Sequence, residues 1–261
     1  MPTSPKLSDF PNNIKLTITP PPRTASNGRA PPNILILLHG IGDGYQSFTN
    51  LAKALELPET TIIVLQAPTP LPFDIGGFHW GDDLVFETDG SVDMYAMLDA
   101  DPGFEKAKKL LVEDVIRDVL IAKCGYHANN VLLMGYMQGG MVALSAALQM
   151  EKRGTAGENE RELRGVIAIS APLPLSAFCE GTEKAKTPVL MLAGRGVDTG
   201  VPQSLVSRTK TQFQHVTMHR WEKTNDGMPE KRSEMLPIME FLARRLLSEA
   251  GVPWDAVEVG R

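Results

Sequence analysis

The fold of this chain is decided by the stretch Val131-Leu132-Leu133-Met134-Gly135-Tyr136-Met137-Gln138-Gly139-Gly140. Its first four residues form an apolar run, which is typical of a strand that is buried on both faces. Small residues then flank a tight turn, and the apolar stretch that begins at Met141 predicts a buried helix. Residues 135–139, called the elbow from here on, therefore connect a central strand to a helix.

A strand–turn–helix unit with glycines at both ends of the turn is the setting of the G-x-S-x-G motif of serine hydrolases. The spacing matches, but Met137 stands where that motif has its serine. A thioether has no proton to lose and cannot attack a carbonyl to form an acyl-enzyme. The sequence therefore predicts the framework of a serine hydrolase without its nucleophile.

The composition bounds the class of protein. The chain has 261 residues, of which 43% are hydrophobic and 22% charged, and these values fit one globular α/β domain. A net charge of −5 argues against a nucleic-acid partner. We expect no membrane-spanning segment and no secretory signal, because no apolar run has the required length. Cys124 and Cys179 lack metal or redox spacing, so we expect a cytoplasmic or nuclear location, no metal and no cofactor.

Buried strands alternate with helical patterns along the chain. We predict strands at 33–38, 61–65, 131–134, 166–169, 188–192 and 216–221, and helices at 48–55, 103–123, 141–148 and 230–247. This order predicts an α/β fold, a doubly wound and mostly parallel sheet with helices on both faces. Pro237 is expected to shift the start of the last helix or to kink it.

The domain organisation follows from the same pattern. Residues 1–32 are predicted to hold one half-exposed strand, with alternating Ile14, Leu16 and Ile18, and a flexible proline-rich connector. Residues 33–248 form the domain, with an exposed loop at 151–162, and residues 249–261 form a tail.

Residues 67–102 form a long connection that contains His79 and Trp80 among glycines and prolines. A loop of this length inside a compact domain is usually functional or disordered. We interpret it as an ordered loop that lines a pocket.

Several motifs together resemble one family. Leu38-His39-Gly40-Ile41-Gly42-Asp43, the elbow, Phe78-His79-Trp80-Gly81-Asp82, Ser170-Ala171-Pro172-Leu173-Pro174-Leu175 and Asp198-Thr199-Gly200-Val201-Pro202 occur in that order. From about residue 33 to 247 the chain resembles the acyl-protein thioesterase/carboxylesterase group, also called the phospholipase/carboxylesterase family, of the α/β-hydrolase superfamily. The resemblance implies the α/β-hydrolase fold.

The resemblance also implies site residues. The backbone N–H groups of Ile41 and Gln138 would form the oxyanion hole, which holds the negative oxygen of the tetrahedral intermediate. The alternative is that Gly40 and Gly42 serve a tight turn only. Asp198 would be the triad acid, and the alternative is that it caps a helix that begins near Val201.

The histidine of the triad is absent from its expected place. The resemblance puts it in the loop after the last strand, which is here Glu222 to Pro229 and contains no histidine. The position falls on Asp226 or on Met228, depending on the alignment. Of the five histidines, at 39, 79, 127, 215 and 219, only His79 stays open as a catalytic candidate.

The leading hypothesis is thus a catalytically inactive relative of these enzymes that binds an acyl-like ligand or a protein partner. One alternative is an active carboxylesterase or thioesterase that uses His79 or an activated water. Another is a scaffold protein with no small-molecule site. Met137 either fills the former pocket or lines an acyl-binding groove, and the oligomeric state stays open.

Overall fold

The computed structural model describes residues 2–22, 29–73, 76–84, 101–152, 161–178, 183–196 and 201–248. Its strands are β1 (Leu16–Thr19), β2 (Asn33–Leu38), β3 (Thr60–Leu65), β4 (Thr69–Pro70), β5 (Phe78–His79), β6 (Val131–Tyr136), β7 (Gly165–Ile169), β8 (Val189–Ala193) and β9 (Val216–Arg220). Its α-helices are α1 (Tyr45–Leu55), α2 (Glu105–Lys108), α3 (Gln138–Lys152), α4 (Gln203–Gln212) and α5 (Arg232–Arg245). A π-helix, Lys109–Lys123, continues α2 directly.

Seven of the strands form one sheet in the order β1-β3-β2-β6-β7-β8-β9. β1 pairs antiparallel with β3, and all other neighbours in this sheet are parallel. The predicted fold class, a doubly wound and mostly parallel sheet with helices, is therefore confirmed. β4 and β5 form a separate antiparallel pair above the edge of this sheet, where residue 43 bridges to residue 78.

Helices cover both faces of the sheet, and this explains the continuous apolar strands. In β2, Ile34, Ile36 and Leu38 belong to one hydrophobic cluster, together with the π-helix and α3. Leu35 and Leu37 point to the other face and pack in a second cluster with α1 and α5. Alternate residues of a strand point to opposite faces, so in a strand covered on both sides every side chain is buried and apolar residues are favoured at each position.

The strand order places the candidate site. After β2 the chain continues to β3 on one side of it, whereas after β6 the chain continues through β7 and β8 to β9 on the other side. The connections that follow β2 and β6 therefore diverge at the carboxyl edge, and open α/β sheets bind ligands at such a switch point.

Three predicted elements differ in detail. The helix predicted at 103–123 begins at Glu105 and is a π-helix over most of its length. The sequence did not predict this winding, because the apolar spacing alone does not distinguish a π-helix from an α-helix. Glu151 belongs to α3 rather than to an exposed loop, and its carboxylate accepts from the N–H groups of Lys186 and Thr187. Pro237 lies inside α5, which starts only at residue 232 because the preceding residues form a loop.

Some predictions fall outside the described residues. These are Asp198, Cys179, residues 23–28 of the connector, 85–100 of the long connection, 153–160 of the loop and the tail from 249. Within the described ranges, no helix combines the length and the apolarity needed to cross a bilayer.

Candidate functional site

Met137 alone connects β6 to α3 at the elbow. Its backbone has φ +48°, in the left-handed region that a side chain makes costly by about 1–2 kcal/mol. Two hydrogen bonds hold this turn: the N–H of Met137 donates to the carbonyl of Ile169 at 2.9 Å, and its carbonyl accepts from the N–H of Met141 at 3.0 Å. The Met137 side chain is 6% exposed and belongs to neither core cluster. The strained strand-to-helix turn of the motif is therefore present with a buried thioether on it.

The glycines of the elbow are required by close packing. A Cβ on Gly139 would lie 2.4 Å from the carbonyl oxygen of Leu38 and 2.5 Å from that of His39. A Cβ on Gly135 would lie 2.3 Å from the carbonyl carbon of Gly139. The start of α3 thus touches the backbone at the end of β2, and this contact brings the elbow against the turn that follows β2.

His39 begins that turn, and its ring is fully buried. Nε2 accepts the N–H of Ala67 at 3.0 Å, so Nδ1 carries the proton and donates to the carbonyl of Gly40 at 2.7 Å. Burial lowers the pKa of His39, since the charged form would lose its hydration. Both ring nitrogens are used within the protein, so His39 supports the turn and has no lone pair for a substrate.

Trp80 joins the turn after β2 to the elbow. Its indole Nε1 donates to the carbonyl of His39 at 2.8 Å, and its backbone N–H donates to Oε1 of Gln138 at 3.0 Å. Trp80 is fully buried. The sequence singled out this tryptophan as part of a pocket loop, but the structural role of the Gln138 side chain had no signal in the sequence, because its partner is 58 residues away.

Two backbone donors remain between these elements. Gly42 donates to the carbonyl of Phe78 at 2.9 Å, and Phe78 donates back to Asp43 at 2.9 Å, so β5 fixes the turn after β2. Among the described residues, no backbone carbonyl accepts from the N–H groups of Ile41 and Gln138, the two positions predicted for an oxyanion hole. N–H groups that are fixed and unused can bind a carbonyl or carboxylate oxygen.

The loop after β9 buries a carboxylate. Asp226 is 4% exposed, and its Oδ1 accepts from the backbone N–H of Gly194 at 3.1 Å. Its carbonyl accepts from the hydroxyl of Ser170 at 2.8 Å, while its Oδ2 has no hydrogen-bond partner among the described residues. Burial raises the pKa of Asp226, and the Gly194 N–H and the charges of Arg220 and Lys223 oppose this effect only in part.

Lys223 holds this loop in place. Its Nζ donates to the carbonyls of Gly227 and Met228, each at 2.7 Å, and lies 3.3 Å from a carboxylate oxygen of Glu234. It also lies 4.4 Å from the ring centroid of Trp221, as a cation over an aromatic face. Only 13% of the Lys223 side chain is exposed. Sequence reasoning missed this role, since a lysine in a polar loop gives no sign of being buried.

The other four histidines differ in their burial. His127 and His215 are exposed, and His219 is half-buried in β9. His79 is 3% exposed, and its Nδ1 has no hydrogen-bond partner among the described residues. Burial lowers the pKa of His79, and the charge of Lys106 adds to this effect.

The sheet order, the strained elbow and the turn packed against it define the class: the fold is that of the α/β-hydrolases. The chain belongs to the phospholipase/carboxylesterase family, whose model matches residues 20–246. This finding confirms the resemblance seen in the sequence.

Relatives and solved structures agree with this assignment. The chain is 31% identical, over 86% of its length and 88% of the other, to an uncharacterised hydrolase of Schizosaccharomyces pombe. It is 29% identical to an uncharacterised hydrolase of Mycosarcoma maydis over 81% and 76% of the two chains. The structure of acyl-protein thioesterase 2 from Zea mays superposes with a TM-score of 0.58 at 20% identity, covering 88% of this chain and 98% of that one. The last likeness shows the fold alone.

Proposed function

We propose that this chain is a catalytically inactive member of the thioesterase/carboxylesterase type of hydrolase, and that it binds an apolar acyl-like ligand through a carbonyl or carboxylate. The observation that carries the proposal is Met137, a side chain without an ionisable proton, on a fully formed elbow turn.

The chemistry of the site supports inactivity. Asp226 lies in the loop where the resemblance places the triad histidine. Its carboxylate accepts a hydrogen bond from the backbone N–H of Gly194, and it cannot replace an imidazole as the base of the triad. Residues of a catalytic triad act as a unit, and loss of the nucleophile or base costs about 10⁶ in rate. Here both groups are replaced, and Asp198, the acid that the resemblance implies, would have no histidine to orient.

The retained framework supports binding. The backbone N–H groups of Ile41 and Gln138 donate to no backbone carbonyl of the described residues, so they are suited to bind an acyl oxygen. Trp80 connects their two turns by hydrogen bonds. Glycines that tolerate no Cβ keep the turns in contact. Such an arrangement is useful to a ligand-binding protein even without hydrolysis. A protein partner that presents an acylated segment could occupy the same site, because its acyl group offers the same carbonyl oxygen.

Hydrolysis and binding are tested separately. Purified protein is assayed with p-nitrophenyl esters and an acyl thioester, and is treated with a fluorophosphonate probe. We expect no turnover above buffer and no labelled serine. Turnover that a change at Met137 abolishes would overturn the inactive assignment.

Ligand binding is measured with a fluorescent long-chain fatty acid, in competition with hexadecanoic acid. Met137→Trp is expected to weaken binding by filling the site, whereas Met137→Ala is expected to preserve or strengthen it. Met239→Trp is the matched control, because Met239 is an exposed methionine on α5. Binding that responds equally to both tryptophan variants, or no binding to the parent protein, would contradict the proposal.

A second candidate function is weak hydrolysis with His79 as the base. The observation in its favour is the buried Nδ1, which has no hydrogen-bond partner among the described residues, on a ring whose pKa is lowered by burial. His79→Gln would then abolish any slow ester hydrolysis, whereas the exposed control His215→Gln would leave it unchanged.

A further inference from the structure

A cavity of about 450 Å³ lies at the β8–β9 side of the sheet, away from the central elbow strand. Its walls come from the second residue after β8, the end of β9 with the start of the loop that follows it, and the start of α5. β9 is three strands from β6, so this cavity lies about 14 Å from the elbow at about 4.8 Å per strand. We call it the basic cleft, because four of its side chains are cationic: Arg195, Arg220, Lys223 and Lys231.

The charge of the cleft is not balanced internally. Among the described residues that line it, the acidic ones are Glu222 and Glu234, so this part of the wall carries a net positive charge in a chain whose overall charge is −5. Glu234 lies against Lys223, at 3.3 Å, and this pair is nearly buried. The backbone of Lys231 is hydrogen-bonded at the start of α5, but its ammonium group has no hydrogen-bond or ion-pair partner among the described residues, and neither does the hydroxyl of Ser233.

At the mouth of the cleft, the guanidinium of Arg195 forms an ion pair with the carboxylate of Glu222. Its two guanidinium nitrogens lie 2.8 Å from the two carboxylate oxygens of Glu222, a bidentate arrangement. Both side chains are largely exposed, at 56% and 83%, so water screens the pair and another anion can replace the carboxylate.

Arg220 is a positively charged side chain whose position is fixed by hydrogen bonds. Its guanidinium donates to the carbonyls of Gly194 and Val201, at 3.3 Å and 2.6 Å, so its position in the wall is fixed. A guanidinium bonded to two neutral carbonyls retains a full positive charge, and the cleft concentrates its field. His219 lines the same cavity, and it adds a further polar group.

From these contacts we propose that the basic cleft is a binding site for the phosphate group of a phosphomonoester. The phosphate replaces Glu222 on the Arg195 guanidinium and is bound by the Lys231 ammonium and the Ser233 hydroxyl. A doubly charged tetrahedral group suits this site, since arginine binds two of its oxygens at once and lysine supplies a point charge. The proposal is independent of whether the elbow is catalytically active.

The phosphate can belong to a soluble metabolite or to a lipid headgroup, and two arms of the experiment distinguish them. In the first arm, calorimetry at low ionic strength measures the binding of inorganic phosphate and glycerol 3-phosphate to the full chain. In the second, vesicles of phosphatidylcholine with phosphatidic acid are sedimented with the protein, with and without glycerol 3-phosphate. Retention on vesicles that glycerol 3-phosphate displaces assigns the lipid headgroup, and binding in solution without retention assigns the soluble ligand.

Variants with opposite expected signs test the cleft itself. Arg195→Gln combined with Lys231→Gln should weaken phosphate binding at least about tenfold, the change that 1.4 kcal/mol produces. Glu222→Gln should strengthen it, because Arg195 loses its competing carboxylate. Arg244→Gln is the matched control, since Arg244 also forms an exposed ion pair, with Glu240 on α5, outside the cleft. Melting curves verify that each variant is folded.

Three results would overturn the proposal. The first is absence of phosphate binding by the parent protein. The second is binding that the double variant leaves unchanged. The third is vesicle retention that glycerol 3-phosphate does not displace.

Discussion

The carboxylate of Asp226 accepts a 3.1 Å hydrogen bond from the backbone N–H of Gly194, the residue that directly follows β8. Gly194 is held so closely by the same loop that a Cβ on it would lie 2.3 Å from the carbonyl oxygen of Asn225. The loop after β9 therefore packs on the end of β8 without a gap. This contact places a buried carboxyl at the carboxyl edge of the sheet, one strand away from β7 and two from the elbow strand.

The pH dependence of stability should reveal Asp226. Because its pKa is raised in the folded protein, the folded state holds more protons than the unfolded state between the two pKa values. The free energy of unfolding should therefore fall as the pH rises from the ordinary aspartate pKa through the raised one. Asp226→Asn keeps the acceptor for Gly194 and cannot ionise, so it should melt at a higher temperature than the parent near pH 7. The difference should disappear at pH 3.

Thermal melts from pH 3 to 8 check this expectation. Asp118→Asn is the control, since Asp118 is exposed on the π-helix. A variant at position 226 that is less stable than the parent at neutral pH would mean that Oδ2 makes a favourable interaction in solution, and would contradict the expected sign.

The close contact between the elbow and β2 gives a second prediction. Gly139→Ala would force a Cβ to 2.4 Å from a backbone oxygen, which cannot move as a flexible side chain can. We expect the free energy of unfolding to fall by about 1–3 kcal/mol or more, the usual cost of overpacking. Gly227→Ala is the matched control, because its Cβ would approach nothing closer than 3.5 Å. Urea titrations measure both, and equal losses would contradict the packing described.

Much of the fold was predictable from local pattern. β2, β3, β6, β7 and β8 are continuous apolar runs because both faces of the sheet are covered. The predicted bounds of β2 equal the observed ones, and those of the other four differ by at most two residues at either end. The winding of the π-helix was not predictable, because its apolar face satisfies an ordinary helical spacing equally well.

In the candidate site too, the contiguous motifs were predictable from the sequence and the long-range contacts were not. The elbow and the turn after β2 are contiguous motifs, so their glycines and Met137 are visible in the sequence. The hydrogen bonds that join separate parts of the site are long-range: Trp80 to His39 spans 41 residues, and Ser170 to Asp226, between the end of β7 and the loop after β9, spans 56. No local pattern reports such pairs, and this is why sequence reasoning left the loop after β9 undecided between Asp226 and Met228.

Trp80 provides a third prediction, which separates stability from binding. Trp80→Phe keeps an aromatic ring but leaves the carbonyl of His39 without its 2.8 Å donor, at a cost of about 1–3 kcal/mol for an unsatisfied buried group. Trp221→Phe is matched, because the buried Trp221 also makes one indole hydrogen bond, to Glu234 at 3.0 Å. Both variants should lower the melting temperature.

Only Trp80→Phe should weaken the binding of the fluorescent fatty acid, since only Trp80 contacts both the turn after β2 and the elbow. Fluorescence titration of the two folded variants decides the point. If Trp221→Phe weakened binding as strongly, the ligand would lie elsewhere, and Trp80 would have a purely structural role.

The final prediction concerns positions 137 and 226, where the proposed function places the missing nucleophile and the missing base. Met137→Ser alone should stay inactive towards p-nitrophenyl esters, because a serine without a base is a weak nucleophile. Asp226→His alone should also be inactive, since no serine is present. The double variant should exceed Met137→Ser by about 10²-fold in initial rate, within the range that general-base catalysis contributes. It should also react with the fluorophosphonate probe.

Met137→Ser with Met228→His is the matched control for the alignment. Met228 packs against the cluster formed with α1 and α5, whereas Asp226 lies against the end of β8, so a histidine at 228 should not activate the serine. If the variant at 228 were the active one, Asp226 would not occupy the histidine position. If neither folded double variant gained activity, the prediction would be wrong, and position 226, which is held against Gly194 by the loop that Lys223 binds, would not be close enough to the elbow to act as the base.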